Sequence, residues 1–157
     1  MINYKIDNTD KRILEFLIED ARQSFLEIAK MIHVSGGTVH VRYRKLQEEG
    51  IIKGSTLVLD FEKMGFDILA FVGINLHDAK DYKIVVRKIR EIPEVLEAYY
   101  TTGKYNIFAK IVAKNTRDLY EILIKKIQEI PEIQSTETLL SLETAFSKNA
   151  GVLISKL

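Results

Sequence analysis

An α+β protein in two parts is predicted, on three observations. Residues 1–50 show only helical periodicity. Beyond residue 68 short strand-like apolar segments alternate with helical ones. The octapeptide KIREIPEV at 88–95 returns as KIQEIPEI at 126–133, an offset of 38 with six identities.

The elements follow in order. Asp7 or Asn8 can cap a first helix, because a side-chain oxygen accepts a free first-turn N–H. Ile13, Leu14, Leu17 and Ala21 then share one face. Ser24 and Glu27 form a capping box that opens a second helix, with Phe25, Ile28, Ala29 and Ile32 on one face. His33-Val34-Ser35 interrupts. Ser35 caps a third helix running to about Glu49, and Gly50 ends it by supplying a left-handed conformation. Ile51-Ile52 and Thr56–Leu59 read as two short strands around a turn at Lys53-Gly54-Ser55. Residues 1–59 therefore have the organisation of a winged helix-turn-helix domain.

Residues 60–67, DFEKMGFD, read as a hinge. Ile68–Leu76 is then a strand, Asp81–Glu91 a helix and Val95–Thr102 a strand. Gly103–Tyr105 is a turn, Asn106–Ala113 a strand, Thr116–Glu129 a helix and Ile133–Leu142 a strand. Each copy of the repeat ends a helix, turns at Pro93 or Pro131 and enters a strand. Two βαβ units make residues 68–144 a βαββαβ, ferredoxin-like sandwich. Residues 145–157 carry little pattern and read as a tail, mobile or exchanged with a partner.

Composition narrows the function. The chain has 157 residues, 23 Lys+Arg, 22 Asp+Glu and a net charge of +1. A general coat of positive charge is excluded, so any nucleic-acid surface is a local patch. There is no cysteine, hence no disulfide or thiolate metal site. His33, His40 and His77 are scattered, so neither metal nor cofactor is expected. The apolar runs are too short to span a bilayer, and MINYKIDNTDKR has no secretory pattern. A soluble cytoplasmic protein is the expectation.

The third helix carries the first constellation. Ala29 is small where two helices must cross closely, and Ile28, Ile32, Val34 and Val39 can fill the wedge between them. On a helical wheel Gly37, Thr38, Val41, Arg44 and Lys45 point outward, with His40 and Arg42 on the flanks. No acidic residue stands between Ile28 and Gln47. Such a helix suits a major groove. Arg42, Arg44 and Lys45 are expected on phosphates or guanine edges. Ser35, Thr38 and His40 stand near the helix start, Val41 can meet a thymine methyl, and Lys53 lies on the wing.

The loop YYTTGKYN, residues 99–106, carries the second. Gly103 permits a tight turn with free amides that suit a carboxylate. Thr101, Tyr105 and Asn106 add polar groups. On the last strand Gln134, Thr136 and Thr138 share one face, and Ser135 and Glu137 the other. A hairpin turn and an edge strand account for the same residues; a zwitterionic ligand with an amide side chain would also give them partners. Glu137 is the candidate for its ammonium group.

The segments IDNTDKRILEFLIEDAR, SFLEIAKMIHVSGGTVHVRYRKLQEEGIIKG, EAYYTTGKYNIF and EIQSTETLLSLE, taken together, resemble the Lrp/AsnC (feast/famine) family and most closely its asparagine-responsive branch. The resemblance spans residues 1 to about 144. It implies a DNA-binding domain, a hinge and an effector domain of the RAM type. It implies a transcriptional regulator acting on a pseudo-palindromic duplex operator, as a homodimer that assembles to an octamer. It also implies a free amino acid, asparagine, as effector, and amino-acid metabolism genes such as asparagine synthetase as targets. The family's ligand contacts carry over to Tyr100, Gly103, Tyr105, Asn106, Gln128, Thr136 and Thr138. Three departures stand out: His33 where the family has Gly, Gly36-Gly37 opening the recognition helix, and Asn106 where many members are acidic. The alternative is an enzyme of the same two-domain plan, a tetrapyrrole decarboxylase. Its chemistry would favour His and Arg groups in the effector cleft, where this chain offers only His77, Arg87, Arg90 and Arg117 on or beside helices.

Overall fold

The computed structural model describes residues Tyr4–Lys156. The first three residues of the amino-terminal stretch and Leu157 of the tail lie outside the described residues. The chain forms two compact units, Met1–Val58 with Ala145–Leu157, and Leu59–Thr144.

The first unit holds α1 (Asn8–Glu19), α2 (Phe25–Met31) and α3 (Gly36–Glu48). All three begin at side-chain caps. Asp7 and Asp10 form a reciprocal capping box, Ser24 and Glu27 another, and Ser35 accepts from the Thr38 N–H at 3.1 Å. Ile13, Ile28, Ala29 and Val39 are buried together where α2 and α3 cross. His33 turns the chain with φ 58°, in the left-handed region that glycine favours, and Gly50 closes α3 at φ 70°.

Two expectations for this unit are corrected. The wing forms no ladder, and residues 51–60 run without a strand. Ile51 and Ile52 instead donate their amides to the Leu46 carbonyl at 2.9 and 3.0 Å, finishing α3, and pack beside Leu14 and Leu46. Among the described residues Thr56–Leu59 has no pairing partner, and Leu57 and Val58 stand exposed. The tail, for its part, is folded. Residues Ala150–Lys156 wind as a 3-10 turn, and Ile154 is buried against Leu14 and Leu46. Ile154 joins the apolar cluster that Tyr4, Ile51 and Ile52 also cover, which ties the segment to this unit.

The second unit is a four-stranded antiparallel sheet in the order β2-β3-β1-β4. Its strands are β1 (Ile68–Leu76), β2 (Val95–Tyr100), β3 (Ile107–Ala113) and β4 (Ile133–Leu140). The helices α4 (Tyr82–Arg90) and α5 (Thr116–Glu121) pack on one face. Alternation sends Ala70, Val72 and Ile74 of β1 inward to meet Val85, Ile89, Leu119, Ile122 and Ile127. The segment 60–67 folds as turns in this unit, with Asp60 accepting from the Lys63 N–H. The helix expected over 116–129 changes winding, since Ile122–Ile127 is π-helical and the Gln128 N–H reaches the Leu123 carbonyl at 2.8 Å.

The internal repeat is visible as paired contacts. Lys88 sits 2.6 Å from Glu132, and Lys126 sits 2.6 Å from Glu94, so each repeat's lysine meets the other repeat's glutamate.

Candidate DNA-binding helix and effector loop

The outward face of α3 is built from Gly37, His40, Val41 and Arg44, all exposed. Their spacing of three and four residues keeps them on one side of the helix. Val41 is 66% exposed, which leaves its methyl groups free on this face. At the helix start the Ser35 and Thr38 hydroxyls lie 2.8 Å apart. Arg44 makes only a loose contact with Glu48 at 3.6 Å, both well exposed. Gly36 lets α2 approach, because a Cβ there would stand 2.8 Å from Leu26 Cδ2, whereas at Gly37 it would meet only Ser35 Oγ at 3.7 Å, an ordinary contact.

Two of the expected cations sit differently. Arg42 turns back toward α1, its Nη1 2.6 Å from Asp7 Oδ2 and 3.0 Å from Asp10 Oδ1. Asp10 has no solvent exposure and is the single buried charged residue among those described. It also accepts from the Tyr4 hydroxyl at 2.7 Å and from the Asp7 N–H. The Asp10 N–H and then the Arg42 guanidinium hold the Asp7 carboxyl below the usual carboxylate range. Burial, reinforced by the bond to Asp10, pushes Tyr4 up to about 12. Arg42 is thus engaged in a network centred on the buried Asp10 that spacing alone did not reveal. Lys45 lies over the Tyr4 ring, 4.7 Å from its centroid. Lys53 is exposed beside Gly54, on the segment that forms no ladder.

In the second unit the hairpin between β2 and β3 places the loop. Gly103 has φ 116°, a conformation L side chains rarely adopt. The loop is closed by the Thr101 N–H on the Asn106 carbonyl at 3.0 Å and by the Thr101 hydroxyl on the Tyr105 carbonyl at 2.7 Å. Asn106 joins it to β1: its N–H donates to the Ile74 carbonyl, and its Oδ1 accepts from the Leu76 N–H at 2.9 Å. The Tyr105 ring lies directly on Gly73, where a Cβ would come within 2.6 Å of it. The Lys104 ammonium bonds to Glu137 on β4. That contact lowers the Glu137 carboxyl and raises the lysine. Tyr100 stacks on Tyr82 of α4 with centroids 4.3 Å apart.

The strand residues divide by face. Thr136 and Thr138 pair with Ile74 and Val72 on the helix-facing side of β4, while Glu137 pairs with Gly73 on the other. Gln128, which follows the π-helical segment, donates to the Thr136 hydroxyl at 2.9 Å. The loop and Glu137 thus come together through Lys104. Thr136 and Thr138 stand on the edge strand β4, with Gln128 reaching Thr136 from the end of the π-helical segment, and Tyr100 lies on the opposite edge strand β2. Among the described residues no cluster of His, Asp and Glu could hold a metal ion, and no helix is long and apolar enough to cross a membrane.

Two family models match the chain. Residues 69–150 match the Lrp/AsnC ligand binding domain, and residues 6–53 match a winged helix-turn-helix DNA-binding model. The chain is 48% identical over 140 residues to regulatory protein AsnC of Haemophilus influenzae, covering 89% of this chain and 93% of that one. It is 48% identical over 143 residues to regulatory protein AsnC of Escherichia coli, covering 91% and 94%. The solved E. coli AsnC structure superposes with a TM-score of 0.89 at 44% identity, over 94% of this chain and 99% of that one. A Neisseria meningitidis transcriptional regulator, solved as an L-Met complex, shares the fold with a TM-score of 0.89 at 21% identity, over 98% and 100%.

Proposed function

The chain belongs to the Lrp/AsnC family of DNA-binding transcription regulators, and from that premise we propose that its DNA affinity is set by free asparagine. It is a regulator and not a tetrapyrrole decarboxylase, as its relatives at 48% identity are regulators. The observation that carries the DNA half of the reading is the exposed face of α3, Gly37-His40-Val41-Arg44, on a helix without an acid between Ile28 and Gln47. In this reading Arg44 and Lys45 meet phosphates or a guanine edge, and Ser35, Thr38, His40 and Val41 read the groove. Lys53 touches the backbone, and Arg42 holds α3 at its angle to α1.

An amino acid as effector is supported by the polar loop and by the L-Met complex of the Neisseria protein. The Gly103 loop, with Thr101, Tyr105 and Asn106, offers amides and hydroxyls to a carboxylate. Glu137 offers a charge to the ammonium group once Lys104 yields it. Gln128, Thr136, Thr138 and Tyr100 stand apart from that cluster, and a second copy of the chain would bring the groups together. A homodimer, assembling to an octamer, is further supported by Phe71, Phe108, Tyr99 and Leu139 on the sheet face away from the helices. There the Phe71 and Phe108 rings stack 5.8 Å apart, and Tyr99 and Leu139 are about half exposed. A two-fold dimer suits a pseudo-palindromic operator, in the cytoplasm, near genes of amino-acid metabolism such as asparagine synthetase.

A thermal-shift screen of the twenty amino acids tests the effector. A ligand selective for the folded state raises the melting point. Asparagine is expected to give the largest rise; a screen in which no amino acid moves the midpoint contradicts the proposal.

A further inference from the structure

The internal repeat extends beyond its octapeptide and supplies a built-in comparison. Residues 82–95, YKIVVRKIREIPEV, align with 120–133, YEILIKKIQEIPEI. Val85 and Ile89 face the core in the first copy, as Leu123 and Ile127 do in the second, although the π-helical winding of the second copy also buries Ile122 where Ile84 is exposed. The outer face does not. Lys83, Arg87 and Arg90 of α4 stand where the second copy has Glu121, Lys125 and Gln128.

In the second copy that face neutralises itself. Glu121 lies 3.5 Å from Lys125 and 3.8 Å from Arg117. In the first copy it does not. Lys83, Arg87 and Arg90 are exposed and, among the described residues, form no ion pair. The neighbouring cations are already engaged, Lys80 with Asp78 and Lys88 with Glu132. The helix dipole accounts for basic residues in the last turn, where Arg87 and Arg90 stand. It does not account for Lys83 in the first turn, where the dipole disfavours a cation. The second unit as a whole carries a slight excess of acids, so this strip is a local reversal of its charge.

We infer that Lys83, Arg87 and Arg90 form a second duplex-binding surface, which holds the phosphate backbone of DNA outside the stretch read by α3. At 1.5 Å per residue the strip spans about 10 Å, enough for successive phosphates of one strand. Its side chains offer charge and no groove-entering element, so the contact is independent of sequence. The inference rests on the reading of the chain as a DNA-binding regulator. The two cation sets stand on different units, α3 on the first and α4 on the second, and the inference assigns them to separate stretches of duplex. The strip then adds affinity only on fragments long enough to reach it.

The test uses the full chain and random-sequence duplexes of about 20 and about 150 base pairs, with binding read by fluorescence anisotropy across a salt series. Neutralising three phosphate contacts flattens the log–log salt slope by about 2–3. K83Q/R87Q/R90Q is expected to bind the long duplex at least tenfold more weakly with that flatter slope, and the short duplex within twofold of wild type. K63Q/K114Q/R117Q removes the same charge elsewhere and is expected to lose little on either. Equal behaviour of the two triple variants on the long duplex overturns the inference. So does a loss that sedimentation traces to altered assembly, which would make the strip a protein contact. R44Q/K45Q separates the two readings: wild-type binding by that variant on both lengths would contradict the role of α3 and leave the α4 comparison standing.

Discussion

Arg42 reaches from the recognition helix to Asp10, its Nη1 3.0 Å from a carboxylate wholly shielded from solvent. The two residues are 32 positions apart in the chain, and their contact joins α3 to α1. Arg42 and Arg44 therefore differ in kind. Removing the first strands a buried charge, while removing the second frees an exposed face. Arg42→Gln is expected to cost about 2–3 kcal/mol, between the values for exposed and fully buried pairs, because Arg42 is itself partly exposed. Arg44→Gln should leave stability within about 0.5 kcal/mol and weaken DNA binding with a flatter salt dependence. Urea unfolding and a salt series on the two variants check the pair of outcomes, and equal stability would contradict the distinction.

Acidification probes the same network. The Asp7 carboxyl is lowered by the Asp10 N–H and by Arg42. A depressed acid contributes its full stabilisation above the unfolded-state value, near pH 4, and loses it as pH falls through the lower folded-state value. The stability gap between wild type and Asp7→Asn should be constant from about pH 7 to 5 and should narrow below about pH 4. A gap that ignores pH would show that the carboxylate charge plays no part.

His33 holds a left-handed conformation at φ 58°. Such a conformation costs an L residue about 1–2 kcal/mol, and glycine returns about 0.5–1 of that through its unfolded-state entropy. His33→Gly is thus expected to stabilise the protein by about 0.5 kcal/mol, read as a small rise in the urea midpoint at unchanged slope. A fall in the midpoint would mean that the imidazole makes a stabilising contact.

Gly73 and Tyr105 are coupled by close approach. Gly73→Ala puts a methyl 2.6 Å from the Tyr105 ring, and overpacking of this kind costs about 1–3 kcal/mol. The displaced ring carries the Gly103 loop with it, so any asparagine-induced melting shift should shrink as well. Adding Tyr105→Ala should recover the stability and not the ligand response. If Gly73→Ala is silent in both measurements, the loop is not seated by that contact.

Much of the fold was legible because its signals are local. Asp7, Ser24 and Ser35 cap the helices expected of them, and β1 occupies Ile68–Leu76 as its apolar run indicates. The repeat, read as two βαβ units, appears in space as the crossed pairs Lys88–Glu132 and Lys126–Glu94. What escaped depends on distant partners. A helical wheel places Arg42 on a flank and cannot show that acids 32 and 35 residues away will draw it in. Ile51 and Ile52 look like strand residues by type, but the Leu46 carbonyl takes their amides. The π-helical winding at Ile122–Ile127 follows a sequence whose counterpart in α4 winds normally. The candidate effector residues were legible as polar groups, while their division over two faces and two edges of the sheet required the register.

The reading of the chain as a metabolite-linked regulator is tested most directly by DNA affinity during an asparagine titration. The duplex is the region upstream of the asparagine synthetase gene, with a random duplex of equal length as control. Linkage requires that a ligand preferring one DNA-binding state shift the affinity by its differential binding to the two states. The predicted result is a change of at least fivefold on the upstream fragment, saturating with asparagine and absent from the control. Affinity that stays constant up to saturating concentrations of every amino acid, on both duplexes, would contradict it.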